Sequence, residues 1–317
     1  MVDQDRCDQA RVVVLGSCNI DIVALCPALP RPGETVLGHG LLISPGGKGA
    51  NQALAAARAG ARTSLIGALG GDEHSQMIRS VLEEASVDIS HVRGVEGPPG
   101  TALIAVDDDG GNQIVVIPGA NSRITDLNHD DLVAIRSADV LVAQLEIPVQ
   151  AVMQAAMEAH NCGVMFVLNA TPVGDVPRAL LELTDLLVVN ELEATALAGG
   201  PDQSTDAAVG QLLVSVPAVI VTLGAAGAMY VDRAGETIRV PAFQVIATDS
   251  TAAGDTFTGA LATAIGEGKH IRRALQIACA AASLCVEAAG AAPSIPERTA
   301  IEARLAAWHM QMPSLRD

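Results

Sequence analysis

The sequence predicts an α/β fold, a three-layer sandwich with a mostly parallel central sheet. Half of its 317 residues are hydrophobic but only 2% are aromatic, so the core must be aliphatic, as in parallel sheets that helices cover on both faces. Short runs rich in Val, Ile and Leu alternate with helical stretches, a pattern typical of right-handed βαβ units. A chain of this length can bury most of its apolar surface without disulfide or metal support.

The predicted elements follow from the period of their apolar residues. Buried strands are predicted where β-branched residues and Leu cluster, at 12–15, 64–68, 140–144, 164–168, 186–189 and 218–223. Helices are predicted at 51–59, 75–85, 149–159, 191–197, 255–266, 271–289 and 296–308. In such sheets ligands bind at the carboxyl ends of the strands, so we expect the functional residues there.

Two segments break the alternation and predict a small antiparallel sheet. Residues 22–43 contain extended pieces separated by prolines, and residues 101–117 form two strands around an Asp-Gly hairpin signal at Asp109 and Gly110. Without a helix between them, these strands form a lid made of about residues 20–46 and 100–120, inserted in a single domain spanning 1–317. Its free edges predict a homodimer that pairs through the lid.

Charge and cysteine usage exclude several classes of protein. A formal charge of −17 disfavours nucleic acids and anionic membranes as partners. The six cysteines show no CxxC pair, and the first ten residues lack the apolar core of a secretory signal, so we expect a cytoplasmic protein with reduced thiols. The uncharged stretch 212–231 is interrupted by Pro217, Gly224 and Gly227, which argues against a membrane span.

The segment 249–261, DSTAAGDTFTGAL, combines an anion cradle with a carboxylate. Ala252, Ala253 and Gly254 can present free backbone N–H groups where a helix begins, and the helix dipole adds positive potential there. Asp255 can then accept a proton from a hydroxyl while the N–H groups hold a phosphoryl group. The alternative is that Asp255 only complements the dipole of the first turn.

The segment 46–53, GGKGANQA, is not a Walker A loop because its Lys is followed by Gly. Gly47 allows close approach of a ligand to the backbone, while Lys48 and Asn51 can donate to several hydroxyls. An ordinary glycine turn into an alanine-rich helix is the alternative.

Carboxylates and an amide follow two predicted strands and suit a polyol. Asn19 and Asp21 are two residues apart and share one face if the chain is extended there. An Asx-type turn would explain the same pair. Glu146 follows another strand and can face the same crevice, or it can be a solvated loop charge.

A third group of residues suits a nucleotide. Asn190 and Glu193 form a capping-box pattern, and they can also lie near phosphates, with Glu193 orienting Mg²⁺ through water. The loop TLGAAG, which contains Thr222, Gly224 and Gly227, follows a strand and can contact nucleotide ribose or phosphates. The glycine spacing at 67–72 does not match a dinucleotide fingerprint, so an oxidoreductase is not predicted.

In this order, and along nearly the whole chain, the motifs GSxNxD, GGKGANQA, QLExP, NELEA and DxTAAGDTFxGAL resemble those of the ribokinase-like family of carbohydrate and nucleoside kinases. The resemblance implies a kinase that uses ATP to phosphorylate D-ribose at its primary 5-hydroxyl. It also implies the family's fold, Mg²⁺, and an activating monovalent cation, usually K⁺.

The resemblance assigns roles residue by residue. Asp255 matches the catalytic base, and the backbone at Ala252, Ala253 and Gly254 matches the anion hole. The sugar-binding positions match Asn19, Asp21, Gly47, Lys48, Asn51, Glu146 and again Asp255. The ATP and Mg²⁺ side matches Asn190, Glu193, Thr222, Gly224 and Gly227. The cation site, partly through backbone carbonyls, matches Asp249, Thr251, Cys285, Ala288, Gly290 and Ser294.

Other functions stay open at this point. The runner-up is a kinase of 2-deoxyribose, fructose or a nucleoside, and a non-catalytic sugar sensor is a more distant alternative. The scarcity of aromatic residues, Phe166, Tyr230, Phe243, Phe257 and Trp308, disfavours a nucleoside, which needs an apolar platform for its base. The residues of the adenine pocket are not predicted.

Overall fold

A computed structural model of the chain describes residues 9–311, so the polar N-terminal segment with Cys7 lies outside the described residues. The strands are β1 (Arg11–Leu15), β2 (Asn19–Cys26), β3 (Gly40–Gly46), β4 (Arg62–Leu69), β5 (Val92–Gly94), β6 (Gly100–Asp107), β7 (Asn112–Ile117), β8 (Val140–Ala143), β9 (Met165–Asn169), β10 (Leu186–Asn190), β11 (Ala218–Thr222), β12 (Ala228–Asp232) and β13 (Thr237–Val240). The helices are α1 (Lys48–Arg58), α2 (Glu73–Glu84), α3 (His129–Arg136), α4 (Val149–Cys162), α5 (Arg178–Glu182), α6 (Glu191–Leu197), α7 (Thr205–Leu212), α8 (Ala253–Gly266), α9 (Ile271–Cys285) and α10 (Arg298–Gln311).

The main sheet has nine strands in the order β13-β12-β11-β10-β9-β8-β1-β4-β5. All neighbours from β11 to β5 are parallel, whereas β12 and β13 add antiparallel strands at one edge. The predicted parallel sheet is therefore confirmed, whereas both of its edges, the antiparallel strands β12 and β13 and the short parallel strand β5, were not predicted.

Helices cover both faces of this sheet. Along β9, Val167 packs into one apolar core while Phe166 and Leu168 pack into the other, because successive side chains of a strand point to opposite faces. Residues of α1, α8, α9 and α10 belong to the first core, and residues of α3, α4 and α7 belong to the second. The three-layer arrangement is confirmed.

In the C-terminal half, the structure corrects the predicted end of one helix and shows how the uncharged stretch 212–231 folds. Helix α9 ends at Cys285 and not at residue 289, because the Val286 carbonyl accepts hydrogen bonds from the N–H groups of Thr248 (2.7 Å) and Asp249 (3.2 Å). The uncharged stretch 212–231 forms the strand β11, a turn and most of β12. Among the described residues no helix is long and apolar enough to cross a membrane.

The lid is a separate four-stranded sheet in the order β3-β2-β6-β7. Its outer pairs, β2–β3 and β6–β7, are antiparallel as predicted, and Gly110 adopts φ +84° in the predicted hairpin turn. Its central pair β2–β6 is parallel, because both strands leave the main body side by side, with Asn19 opposite Gly100. The lid is thus two antiparallel hairpins joined by one parallel pair.

Candidate active site

The predicted functional residues converge where the strands of the main sheet end. Asn19 follows β1, Glu146 follows β8, and Asn190 and Thr222 are the last residues of β10 and β11. The N-termini of α1 and α8 face the same edge, so Lys48 and Asp255 join them. The expected location at the carboxyl ends of parallel strands is confirmed.

Asp255 lies in the first turn of α8, and its side chain is buried (7% exposed). The helix begins after Ala252, which adopts the left-handed conformation (φ +60°) that is rare outside glycine. The Ala253 N–H donates to the Ser250 carbonyl (3.2 Å), so this member of the predicted cradle is already paired. Within residues 9–311 the N–H groups of Ala252, Gly254 and Asp255 have no acceptor, and these are the groups free to hold an anion.

The Asp255 carboxylate is held from α1. Asn51 Nδ2 donates to Oδ2 (3.1 Å) and Gln52 Nε2 donates to Oδ1 (2.9 Å). A residue that only complemented a helix dipole would not need two amide donors from a helix far away in sequence. The structure therefore favours the functional interpretation of Asp255 over the dipole interpretation.

Glu146 organises the other end of the cluster. One of its oxygens accepts hydrogen bonds from the Ser17 hydroxyl (2.5 Å), from Asn19 Nδ2 (3.4 Å) and from the Lys48 N–H (3.4 Å). Asn121 Nδ2 donates to Asn19 Oδ1 (2.8 Å) and so fixes the orientation of that amide. Ser17 and Asn121 were not predicted, and only their positions after β1 and β7 could have suggested them.

Glycines let these groups approach one another. A Cβ on Gly46 would lie 2.2 Å from an oxygen of Asp21, and one on Gly100 would lie 2.0 Å from Asn19 Oδ1. Gly47, the N-cap of α1, has φ +90°, and a side chain there would meet the Asn19 N–H nitrogen at 2.6 Å. Gly47 is thus required for the close approach of its own backbone to Asn19, whereas the predicted approach of a ligand to Gly47 stays a prediction.

Asp21 is a partly buried carboxylate that accepts no hydrogen bond from the described part of the chain. Burial, followed by the negative charges of Glu146 and Asp255, raises its pKa to about 6, although the Lys48 ammonium opposes the shift. A carboxylate kept without donors at a cleft is available to accept hydrogen bonds from a ligand.

Lys48 is the cation among these acids. Burial alone would lower its pKa, but the carboxylates of Asp255, Glu146, Glu193 and Asp21 outweigh burial and raise the pKa above its ordinary value. Lys48 therefore stays protonated, and its positive charge interacts with Glu193 as well as with Asp21, Glu146 and Asp255.

A polar cavity of about 210 Å³ adjoins Asp255. Lys48, Asn190, Glu193, Thr222 and Gly254 are among its lining residues. Asn190 and Glu193 form the predicted capping box, with Glu193 Oε2 accepting the Asn190 N–H and Asn190 Oδ1 accepting the Glu193 N–H, both at 2.8 Å. The cap is confirmed, and the same Glu193 also lines the cavity.

A second cavity of about 390 Å³ continues from the polar one and is mainly apolar. Both cavities contain Thr222, Ser250 and Gly254 in their walls, and Gly224 and Gly227 line the second one. Its apolar lining is contributed mainly by Phe243, Val245, Phe257, Cys279, Ala282 and Val286. The sequence did not predict this lining because its members come from separate segments.

The predicted cation residues begin with Asp249, and both oxygens of its carboxylate accept hydrogen bonds. Its Oδ1 accepts from the N–H (2.9 Å) and hydroxyl (2.6 Å) of Thr251, and its Oδ2 accepts from the Gly290 N–H (2.8 Å). Burial would raise the pKa of Asp249, but these hydrogen bonds outweigh it and hold the pKa below its ordinary value. Asp249 therefore ties two loops together as an anion.

The remaining members of this set are connected to the same loops. The Cys285 thiol donates to the Thr251 carbonyl (3.5 Å) and lies 3.1 Å from the Ser294 hydroxyl, while the Ala288 N–H donates to the Cys285 carbonyl (3.2 Å). Across residues 9–311 there is no cluster of three or more His, Cys, Asp or Glu that could hold a metal ion. A cation here would meet mostly carbonyl and hydroxyl oxygens.

Comparison with known proteins identifies the family. Residues 9–298 match the pfkB family of carbohydrate kinases. The chain belongs to this family. It is 38% identical over 293 residues to the ribokinase of Haemophilus influenzae, covering 90% of this chain and 95% of that protein. It is 36% identical over 294 residues to the ribokinase of Bacillus subtilis, covering 92% and 98%. The predicted family and kinase activity are confirmed.

The solved structures agree. The structure of Arabidopsis thaliana ribokinase complexed with ribose and ATP superimposes with a TM-score of 0.88 at 34% identity, covering 94% of this chain and 99% of that one. This superposition confirms the predicted α/β fold with its additional small sheet.

Proposed function

We propose that this kinase transfers the γ-phosphoryl group of ATP to the primary 5-hydroxyl of D-ribose and so forms ribose 5-phosphate. The observation that carries the proposal is the position of Asp255. Its buried carboxylate lies beside free backbone N–H groups, between a polar cavity and the cluster of carboxylates and amides that suits a polyol. The names of the relatives and the ribose and ATP complex of the Arabidopsis thaliana protein support the choice of substrates.

The sugar would bind to the donors and acceptors that surround Asp21. Asn51 Oδ1 is buried without a hydrogen-bond partner, so a sugar hydroxyl would supply the missing donor. The Asp21 carboxylate can accept from two vicinal hydroxyls, which favours ribose over 2-deoxyribose. The full proposed set is Asn19, Asp21, Gly47, Lys48, Asn51 and Glu146.

The transfer would begin when Asp255 takes the proton of the primary hydroxyl. The sugar oxygen then forms a bond to the γ-phosphorus, and the bond from that phosphorus to the leaving oxygen of ADP breaks. Negative charge on the phosphoryl group would face the N–H groups at Ala252, Gly254 and Asp255 at the positive end of α8, with the Lys48 ammonium nearby. Ala253 would contribute to this anion hole through the turn that its own hydrogen bond closes.

The two cavities would bind different parts of the nucleotide. The polar cavity suits the phosphates, and the apolar cavity beside Thr222, Gly224 and Gly227 suits the base and ribose. Mg²⁺ fits Glu193 through a water molecule, because Oε2 is used by the helix cap and Oε1 accepts no hydrogen bond from the described residues. When bound, Mg²⁺ would neutralise charge on the phosphates.

A monovalent cation fits the neighbouring group. The proposed ligands are Asp249, Thr251, Cys285, Ala288, Gly290 and Ser294, which offer carboxylate, carbonyl and hydroxyl oxygens of the kind that K⁺ prefers. Their connection to α8 through the loop 249–252 suggests a purpose for the cation. It would hold the backbone that presents the anion hole.

We also propose a homodimer through the lid and a cytoplasmic location. One face of the lid, the one that does not carry the Asp21 side chain, exposes a group of large apolar side chains. These are Leu41, Ile43, Leu103 and Val115, which are 42–63% exposed. Such a patch is typical of a surface that another protein chain covers. The described cysteines are all free, and most are buried, which suits a reducing compartment.

Alternative acceptors are less well supported. Phe166 lies in the core, whereas Phe243 and Phe257 line the apolar cavity and Trp308 packs against Phe243 at 4.9 Å between ring centroids. The two aromatic residues of the apolar cavity are therefore placed to serve the nucleotide, and Phe166 in the core offers no platform for the base of an acceptor nucleoside.

Initial rates with ATP, Mg²⁺ and K⁺ would test the proposed function. The acceptors are D-ribose, 2-deoxyribose, fructose and adenosine, and ³¹P and ¹³C NMR locate the new phosphate. We expect D-ribose to give the highest kcat/KM and a product phosphorylated at carbon 5. A higher kcat/KM for another acceptor, or phosphorylation at another position, would contradict the proposal.

A further inference from the structure

Gln52 is a buried amide that contacts Asp255 from the side of the core. Its side chain is 0% exposed, and its Nε2 donates to Asp255 Oδ1 and to Asn169 Oδ1, both at 2.9 Å. Its Oε1 accepts a hydrogen bond from Gln144 Nε2 at 2.6 Å. Both N–H donors and the oxygen of the Gln52 amide therefore have partners within the protein.

Close packing of α1 on α8 makes this contact possible. A Cβ on Gly259, one turn after Asp255, would lie 2.5 Å from the Gln52 carbonyl oxygen and 2.6 Å from Ala55 Cβ. The Thr263 hydroxyl donates to the Ala56 carbonyl (3.1 Å) across the same interface. Only a glycine lets the two helices approach closely enough for Gln52 to reach the carboxylate.

The Asp255 carboxylate determines how the side-chain amides around it are oriented. Ionised Asp255 can only accept, so Gln52 must turn its NH₂ group toward it and its oxygen toward Gln144. Asn169 Nδ2 donates to the Val188 carbonyl (3.1 Å), which leaves its oxygen to accept from Gln52. The network thus joins Asp255 to Gln144 just after β8, to Asn169 at the end of β9 and, through Asn169, to the middle of β10. Gln52 cannot rotate without losing three hydrogen bonds.

We propose that Gln52 is a positioning residue for the phosphoryl transfer, which holds Asp255 Oδ1 from behind so that Oδ2 receives the proton of the acceptor hydroxyl. The inference rests on the proposed role of Asp255 as the base. In the step itself the acceptor O–H bond breaks and an O–H bond forms on Oδ2. The electron pair of the hydroxyl oxygen forms the bond to the γ-phosphorus, and the bond from that phosphorus to oxygen breaks, with its electron pair leaving on ADP. Gln52 exchanges no proton and does not touch the substrate.

The direct test is Gln52→Leu, which keeps the approximate volume and removes the donor. We expect kcat to fall about 10- to 100-fold, as expected for the loss of a hydrogen bond to a charged group. The dissociation constants of D-ribose and of ATP, measured by calorimetry, should change less than about twofold, because Gln52 itself touches neither ligand in the proposed arrangement. A merely structural role would leave kcat per folded molecule unchanged.

Gln154→Leu is a matched control. Gln154 Oε1 accepts the Leu127 N–H (2.8 Å) far from the cluster, so its loss should lower the melting temperature without changing kcat. Parental kcat in folded Gln52→Leu would overturn the proposal. Equal loss of kcat and of ribose affinity would also overturn it, because it would indicate general distortion of the site.

Gln52→Glu supplies a second, nearly isosteric variant if Gln52→Leu does not fold. When protonated, the introduced carboxyl can still donate to Asp255, and when ionised it repels Asp255, with Asp21 adding repulsion and Lys48 opposing it. Its kcat relative to the parent should therefore fall as the pH rises from 6 to 9. A ratio independent of pH and near one would overturn the proposal. If another sugar is the acceptor, the proposed function fails while the same variants test Gln52 on that sugar.

Discussion

The ionised carboxylate of Asp21 should lower the free energy of unfolding at neutral pH. Its carboxylate is partly buried, accepts no hydrogen bond from the described residues and lies near the charges of Glu146 and Asp255. Its pKa is about 6 in the folded protein against an ordinary value of 3.8. The protonated form therefore stabilises the fold fully below about pH 4, and this stabilisation is lost as the pH rises through about 6.

The size of the effect follows from the shift. A rise of the Asp21 pKa from 3.8 to about 6 on folding lowers the unfolding free energy by about 3 kcal/mol at pH 8, relative to the fully protonated protein. At pH 5 the loss is about half of that. Asp21→Asn removes the charge with little change in volume. We expect it to raise the unfolding free energy at pH 8 by about 1 to 3 kcal/mol, because the amide retains a smaller desolvation cost of its own.

Urea denaturation of the parent and of Asp21→Asn at pH 8 and pH 5 would measure this difference. Asp109→Asn, on the exposed hairpin of the lid, is the matched control and should change stability by less than about 0.5 kcal/mol. A parent at least as stable as Asp21→Asn at pH 8 would refute the reasoning. A stability gain of the same size at both pH values would refute it as well.

Three further predictions follow from the site. Asn19→Ala should weaken ribose binding by about 1 to 3 kcal/mol and ATP binding much less, because it removes partners of sugar hydroxyls; equal losses in calorimetry would contradict the placement. K⁺ should raise kcat far more than Na⁺ at matched ionic strength, because the oxygen-lined loops around Asp249 suit the larger ion; the same kcat with K⁺, Na⁺ and a bulky organic cation would exclude an active cation site. Light scattering at micromolar concentration should give the mass of a dimer, and replacing Leu41 and Val115 by Asp should give a monomer; a monomeric parent would refute pairing through the lid.

Local patterns predicted what local interactions determine. The alternation of strands and helices, the Asp109-Gly110 hairpin and the Asn190 and Glu193 cap each depend on residues close together in sequence, and the structure contains all of them. The convergence of Asn19, Lys48 and Asp255 was also predictable. It follows from the rule that strands of a parallel sheet end at one edge.

Long-range packing explains what the sequence did not predict. Gln52 meets Asp255 across 203 residues and Gln144 across 92, and no local pattern records such a contact. The parallel pairing of β2 with β6 has the same origin, because it depends on where both strands leave the main body. The end of α9 was misplaced because tertiary hydrogen bonds to Val286, and not helix propensity, terminate it.

The most direct test of the account is the activity of Asp255→Asn with D-ribose and ATP. The variant keeps the shape of the side chain but cannot accept the proton, so kcat should fall by about 10² to 10⁴. ATP binding, followed by the fluorescence of Trp308, which packs against Phe243 in the wall of the apolar cavity, should stay within about threefold of the parent. Turnover within about fivefold of the parent would contradict the assignment of Asp255 as the base.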